Sequence, residues 1–297
     1  MNFDQKVFYN TASAVKLDWK PEWFGVSGFG RKFIKAVKVF QKEHDLKADG
    51  LVGPVTFRRI FTHHMADIEM RHPEDKSNYI ICNKQKVEIE WDKVISIDVE
   101  ASLKLPKSNY RAYSKRRKPS MIATHWDVAL SAASCHSILY RKGISTHFAI
   151  DNDGTIYQFV DTNHACWHAG IRSVNNKSIG IDLSNAYYIK YNKLYEKRGF
   201  GLRPIITDSV IHGRKLGDHL GFYGVQIQAY SALVDALCSH YDIPLMSPED
   251  EAGNAMYGVH RAASKARFKG VVSHFHLTRR KIDTAGLDIQ RVLNNLK

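Results

Sequence analysis

Ser145-Thr-His-Phe-Ala-Ile-Asp-Asn-Asp-Gly-Thr-Ile-Tyr-Gln-Phe-Val160 decides the fold of the larger part of this chain. Two β-rich runs, Ser145 to Ile150 and Thr155 to Val160, flank the glycine-containing loop Asp151-Asn-Asp-Gly154, a strong hairpin signal. Downstream, Ser178-Ile-Gly-Ile-Asp-Leu183 alternates cleanly. Ile179, Ile181 and Leu183 share one face; Gly180 and Asp182 share the other. Met121-Ile-Ala-Thr124 reads as a buried strand, Val94-Ile-Ser-Ile-Asp-Val99 as a strand-like opening patch, and Gly270-Val-Val-Ser273 as a final strand leading to His274. Ser131 to Tyr140 reads as a helix, and Val225 to Tyr241 as an amphipathic helix stopped before Pro244. The mixture predicts an α/β fold, with a mixed central β-sheet flanked by helices.

Residues 25 to 65 follow a different pattern. Phe33, Val37 and Phe40, with Ile34 beside them, recur at helical spacing, and Phe57, Ile60 and Phe61 form a second stripe. Between them Asp49-Gly50-Leu-Val-Gly53-Pro54 supplies a tight turn and a proline at a helix start. Two short helices bury little surface, so a third is expected around Ala12 to Leu17, giving a small three-helix domain. The expected organisation is a helical domain over 1–66, a polar linker over 67–90 that includes His72-Pro-Glu-Asp-Lys-Ser-Asn78, and a second domain over 91–297.

The net charge of +13 over 297 residues favours polyanionic partners: nucleic acid, an anionic membrane or an anionic cell wall. The densest basic cluster, Lys115-Arg-Arg-Lys118, reads equally as a solvated loop or a binding patch. Cys82, Cys135, Cys166 and Cys238 show no Cys-x-x-Cys spacing, so a zinc ribbon is not expected and buried free thiols are. The first residues lack a basic start and an apolar core, and no apolar run approaches the ~18 residues of a membrane span. A soluble protein made in a cytoplasm is expected.

His125 ends the apolar run Ile122-Ala-Thr, His274 ends another, and Asp283 follows nine residues later. Together they can supply the three protein ligands of a catalytic Zn2+ site, with the fourth position left to water. Lys281 would place a positive charge beside that water.

These pieces resemble, in order, the type 2 N-acetylmuramoyl-L-alanine amidases, a family that includes phage endolysins, recycling amidases and peptidoglycan recognition proteins. The matching motifs are Ile122-Ala-Thr-His125, Ser145 to Gly154, Ala165-Cys-Trp-His-Ala-Gly170, Asn176 to Leu183, and Val272-Ser-His274 through Lys281-Ile-Asp283. Ala36-Val-Lys-Val-Phe-Gln41 through Asp49-Gly50 and Val52-Gly-Pro-Val-Thr56 resembles a peptidoglycan-binding domain. The resemblance implies His125, His274 and Asp283 as metal ligands, Lys281 as the group that steadies the oxyanion, and Asp182 as the acid that orients or deprotonates the attacking water. It places His168 and Trp167 along the substrate cleft. Thr146 stands where many relatives carry a tyrosine, which gives Asp182 added weight. His276 could compete as a ligand, but strand alternation would turn it away from His274.

The implied protein is a monomeric, zinc-dependent peptidoglycan hydrolase cleaving the bond between N-acetylmuramic acid and L-alanine. A phage endolysin, held in the host cytoplasm until a holin releases it to the wall, is the first expectation. A wall-remodelling or recycling amidase is the alternative. A non-catalytic peptidoglycan receptor on the same fold would have lost a ligand, and here the set is complete. A nucleic-acid partner is not expected, because charge alone suggests it and no recognised motif does.

Overall fold

The computed structural model describes residues 1–65 and 76–297. The chain divides into two compact units, Met1–Met70 and Arg71–Lys297.

The first unit holds α1 (Phe3–Leu17), α2 (Arg31–Glu43) and α3 (Pro54–His64), the helix expected around Ala12 being longer than its signal. Phe33, Val37, Val52, Phe57 and Ile60 fill its core, and Trp19 stacks on Phe33. The motif residues have a physical reason. The buried Gln41 amide donates to the Asp49 carboxylate (3.1 Å), the Leu51 carbonyl (3.0 Å) and Thr56 Oγ1 (3.1 Å), and its oxygen accepts the Gly50 N–H (2.8 Å). Gly50 has φ +77°, and a Cβ there would lie 2.8 Å from the Ile34 side chain, so only glycine fits.

In the second unit, residues 67–75 of the expected linker lie outside the described residues, but the rest of that stretch is not linker. It forms a hairpin, β1 (Tyr79–Cys82) and β2 (Gln85–Glu88), that turns at Asn83 and Lys84 with φ of 52° and 64°. Ile80, Cys82 and Ile89 bury in the main core, which is why the segment is ordered.

The chain continues through β3 (Val94–Ile95), β4 (Tyr110–Arg111), β5 (Met121–Trp126), α4 (Ala132–Lys142), β6 (Phe148–Ile150), β7 (Ile156–Gln158), β8 (Ala165–Cys166), α5 (Arg172–Lys177) and β9 (Ser178–Leu183). After α6 (Asn192–Lys197) come the short strands β10 (Ile205–Ile206), β11 (Val210–Ile211), β12 (Arg214–Lys215) and β13 (His219–Leu220). Then follow α7 (Gly224–Tyr241), α8 (Arg261–Ser264), β14 (Gly270–Ser273) and α9 (Ile289–Asn294).

The central sheet runs β14-β5-β9-β6-β7-β3. Its first four strands are parallel, β7 is antiparallel to β6, and β3 is parallel to β7. This is the expected mixed sheet. Ile122, Ile179, Ile181 and Val271 pack with Tyr230, Leu233, Val234 and Leu237 of α7 on one face. Met121, Ala123 and Val272 pack with Ala169, Val174, Ala263 and Leu277 on the other. His125 follows Met121 and Ala123 at the strand period of two, so it lies on the second face. Cys82, Cys135, Cys166 and Cys238 are free and buried, as expected. Among the described residues, no helix is long and apolar enough to cross a membrane.

Candidate metal centre and active site

The parallel strands β5 and β14 carry their histidines to the carboxyl end of the sheet, where open α/β sheets place their ligands. His125 is near the end of β5. At the end of β14 the chain tightens into a 3-10 turn, His274–His276, which points His274 inward. The Asp283 carbonyl accepts the Phe275 N–H (3.1 Å), and Thr284 Oγ1 meets Ser273 Oγ (2.8 Å), tying the aspartate's loop to the histidine's turn.

Three donor atoms converge there. His125 Nδ1 and His274 Nδ1 are 2.9 Å apart, and Asp283 Oδ2 lies 3.2 Å from the first and 3.0 Å from the second. The three residues are 4%, 3% and 6% exposed, so water does not solvate the cluster freely. Donors on a tetrahedral metal with bonds of about 2.0–2.1 Å sit about 3.3 Å apart, close to these spacings. Two imidazoles and a carboxylate suit a borderline divalent ion, so the residues present fit a metal. Burial works to raise the Asp283 carboxyl, but the His274 and His125 rings outweigh it and hold it well below the ordinary carboxylate range. Burial lowers the His274 imidazole, against the pull of Asp283. An ionised carboxylate and a neutral imidazole are the forms that bind metal.

The structure brings Asp182 to the same place. It pairs with His125 in the register of β5 and β9, so both side chains leave the same face of the sheet, and it is 8% exposed. Behind it, Asp127 accepts from the Ala129 N–H (2.8 Å), Ser184 Oγ (2.8 Å) and the Asn185 N–H (3.1 Å). Burial, and then the nearby Asp182, push the Asp127 carboxyl up to about 8 against those bonds. Lys281 is exposed, and its charge reaches His274 as a minor influence on that imidazole.

Other expected site residues separate. Trp167 is 40% exposed, and its backbone N–H donates to Ser145 Oγ (2.9 Å). His168 faces the protein: its Nδ1 lies 2.9 Å from His125 Nε2 and its Nε2 lies 3.2 Å from Ser178 Oγ. Thr146 is fully buried at 0% exposure, against Gly180, so it is no part of an open cleft wall: a threonine is too short to reach out where a tyrosine would. His276 is turned away, its Nδ1 accepting the Ser273 N–H (3.0 Å) and its Nε2 meeting the Met256 carbonyl (2.7 Å). The direction matches expectation, but a 3-10 turn causes it, not strand alternation.

Sequence reading overlooked Ser178 and His212. Ser178 shares the alternating polar face of Gly180 and Asp182, a signal available in the motif. His212, at the tip of the β11–β12 hairpin, reaches the Lys281 carbonyl through Nε2 (2.9 Å), and no local pattern announces it. In the basic cluster, Arg117 is buried and donates to the carbonyls of Thr162, Asn175, Asn176 and Ser178, a structural role. His147 is likewise structural: its Nδ1 accepts the Gly180 N–H (2.9 Å).

An α/β domain thus gathers a buried His-His-Asp cluster, fit to hold a metal ion, at the carboxyl ends of its parallel strands. The family model of N-acetylmuramoyl-L-alanine amidases matches residues 115–284, more than half of the 297, and the chain belongs to that family. A peptidoglycan binding domain model matches residues 27–60. The protein is thus a peptidoglycan amidase with a peptidoglycan-binding domain.

Solved structures similar to the chain include an AmpD derivative, 20% identical over 64% of this chain and 92% of that one, with a TM-score of 0.37. Another is the N-acetylmuramyl-L-alanine amidase AmiD from E. coli, in complex with an anhydro-N-acetylmuramic acid peptide substrate. It is 20% identical over 63% and 60% of the two chains, with a TM-score of 0.40. A third is the amidase LysC from Clostridium intestinale, 16% identical over 65% and 95%, at 0.39. No curated protein matches the chain.

Proposed function

We propose that this chain is a zinc-dependent N-acetylmuramoyl-L-alanine amidase, and that it works as a phage endolysin. The observation that carries the zinc reading is the convergence of His125 Nδ1, His274 Nδ1 and Asp283 Oδ2 within 3.2 Å of one another in a buried site. When bound, zinc lowers the pKa of a coordinated water to about 7 and polarises the scissile carbonyl.

The chain's own residues supply the rest. Asp182, in register with His125, accepts the proton of the attacking water and returns it to the leaving L-alanine nitrogen. The Lys281 ammonium, on the loop that carries Asp283, offsets charge growing on the carbonyl oxygen of the lactyl group. Trp167, next in sequence to His168, offers an exposed aromatic side chain to the substrate.

The endolysin reading is supported by the architecture. A compact wall-binding unit precedes a catalytic unit, and the net charge of +13 draws the protein to an anionic wall. Tethering a binding module raises the local concentration of bonds to cut. In this reading the protein acts as a monomer from the host cytoplasm once a holin opens the route to the wall.

The test is mass spectrometry of purified peptidoglycan after digestion by the zinc-loaded chain. Intact stem peptides with free L-alanine amino groups, released from unshortened glycan, are expected. Shortened glycan, or release undiminished after zinc is stripped by a chelator, would refute the reading.

A further inference from the structure

The zinc reading leaves unexplained why His125 should present Nδ1, rather than Nε2, to the cluster. A metal ligand must offer a bare nitrogen, and a neutral imidazole has only one. The hydrogen bonds behind His125 decide which it is.

Four groups form a chain leading away from the cluster. His125 Nε2 lies 2.9 Å from His168 Nδ1, His168 Nε2 lies 3.2 Å from Ser178 Oγ, and Ser178 Oγ lies 2.7 Å from the Val174 carbonyl. The polarity is fixed at the far end, because a carbonyl only accepts. Ser178 must donate its hydroxyl proton to Val174, so its oxygen is left to accept from His168 Nε2–H. His168 then has a bare Nδ1, which accepts from His125 Nε2–H. His125 is left with a bare Nδ1, the atom that faces His274 and Asp283. The opposite tautomer would aim an N–H at the metal position and leave two lone pairs opposed at 2.9 Å.

We propose, resting on the zinc reading of this site, that His168 is a positioning residue that acts through Ser178 to hold His125 in its metal-binding tautomer. The role differs from the cleft wall expected from the sequence, since both ring nitrogens of His168 already have protein partners. The relay is mounted on fixed parts of the fold. Val174 is fully buried in α5, and Ser178 begins β9. The Ala169 N–H donates to Asn175 Oδ1 (2.9 Å), which pins the backbone next to His168. The His168 ring lies flush on Gly180, where an added Cβ would meet its Cγ at 2.7 Å. Outer partners of this kind are typically worth 10–100-fold in metal affinity.

The experiment measures zinc affinity of the full chain by competition with a chromophoric chelator. His168→Leu should raise the Kd about 10–100-fold. His168→Asn, which keeps an acceptor near the place of Nδ1, should recover most of that loss. Ser178→Ala should weaken binding in the same direction, and as the smaller change it reads the relay even where His168→Leu fails to fold. Nitrogen-15 shifts of the zinc-loaded protein should show His125 protonated at Nε2. Tight wild-type binding that neither His168→Leu nor Ser178→Ala alters, with only KM raised, would overturn the relay and return His168 to the cleft wall. A wild-type chain that binds no zinc would overturn the metal reading itself, and the relay with it.

Discussion

Gly180→Ala tests the packing on which the site stands. A methyl at this position would lie 2.7 Å from His168 Cγ, 2.8 Å from Cδ2 and 2.9 Å from Thr146 Oγ1. Carbon atoms rest about 3.5–4.0 Å apart, so the His168 ring must retreat by about 0.8 Å or more. Because the ring lies flush on Gly180, that motion carries it out of its own plane and bends the 2.9 Å contact with His125 away from its preferred geometry. Overpacking of this kind costs about 1–3 kcal/mol, and the weakened bond adds at most the ~0.5–1.5 kcal/mol that such a bond contributes. Urea unfolding of the zinc-free chain should therefore show a loss on the order of 1–4 kcal/mol, and zinc affinity should fall as well. The cause can be isolated with a double-mutant cycle. Removing the ring in Gly180→Ala/His168→Ala relieves the ring's part of the clash and leaves only Thr146 Oγ1 at 2.9 Å, so the pair should cost less than the sum of the single changes by about 1–2 kcal/mol. A Gly180→Ala protein as stable as wild type, with unchanged zinc affinity, would show that the ring has room to move and that the glycine is not there for it.

Four further outcomes follow from the structure. Alanine at His125, His274 or Asp283 should remove both bound zinc and activity. Alanine at Lys281 should keep one zinc per chain and slow turnover about 10²–10³-fold, and alanine at Asp182 should do so about 10²–10⁴-fold; zinc loss in either, by elemental analysis, would contradict these roles. His276→Gln should retain zinc and flatten the pH dependence of stability. Burial lowers the His276 imidazole from 6.5 to about 4, so the folded chain binds fewer protons than the unfolded one. Its stabilising contribution is therefore complete above pH 6.5 and fades as pH falls toward 4, by about 3 kcal/mol in all. Identical slopes for the two proteins in zinc-free urea titrations would refute that account. Deleting residues 1–66 should leave a folded amidase that sediments less with purified sacculi; undiminished sedimentation would mean the helical unit does not hold the wall.

Legibility in the sequence follows the range of the interaction that fixes each element. Ser178 to Leu183 was readable in full because burial on the α7 face imposes a period of two on consecutive residues. The hairpin was readable, but its first strand is shorter than its signal. Ser145 donates to the Asn109 carbonyl (2.7 Å), His147 accepts from Gly180, and the strand begins only at Phe148. In the patch from Val94 only Val94 and Ile95 pair, because Ser96 hydrogen-bonds Asp98 and bends the chain away. The β1–β2 hairpin was missed because Asn83-Lys84 occupies a turn that ordinarily asks for Asn-Gly. The metal triad was found through its family motifs, and the direction of His276 was inferred from the wrong local geometry. In a turn of three residues per cycle, positions two apart differ by about 240°, so His274 and His276 diverge there as they would on a strand. The relay from His125 through His168 to Val174 had no such route into the sequence. Its first link spans 43 residues and joins side chains from separate elements, so only the closed fold defines it. A site's donors can thus be recognised from spacing and kinship, whereas the proton positions that make them donors are a property of the packed structure around them.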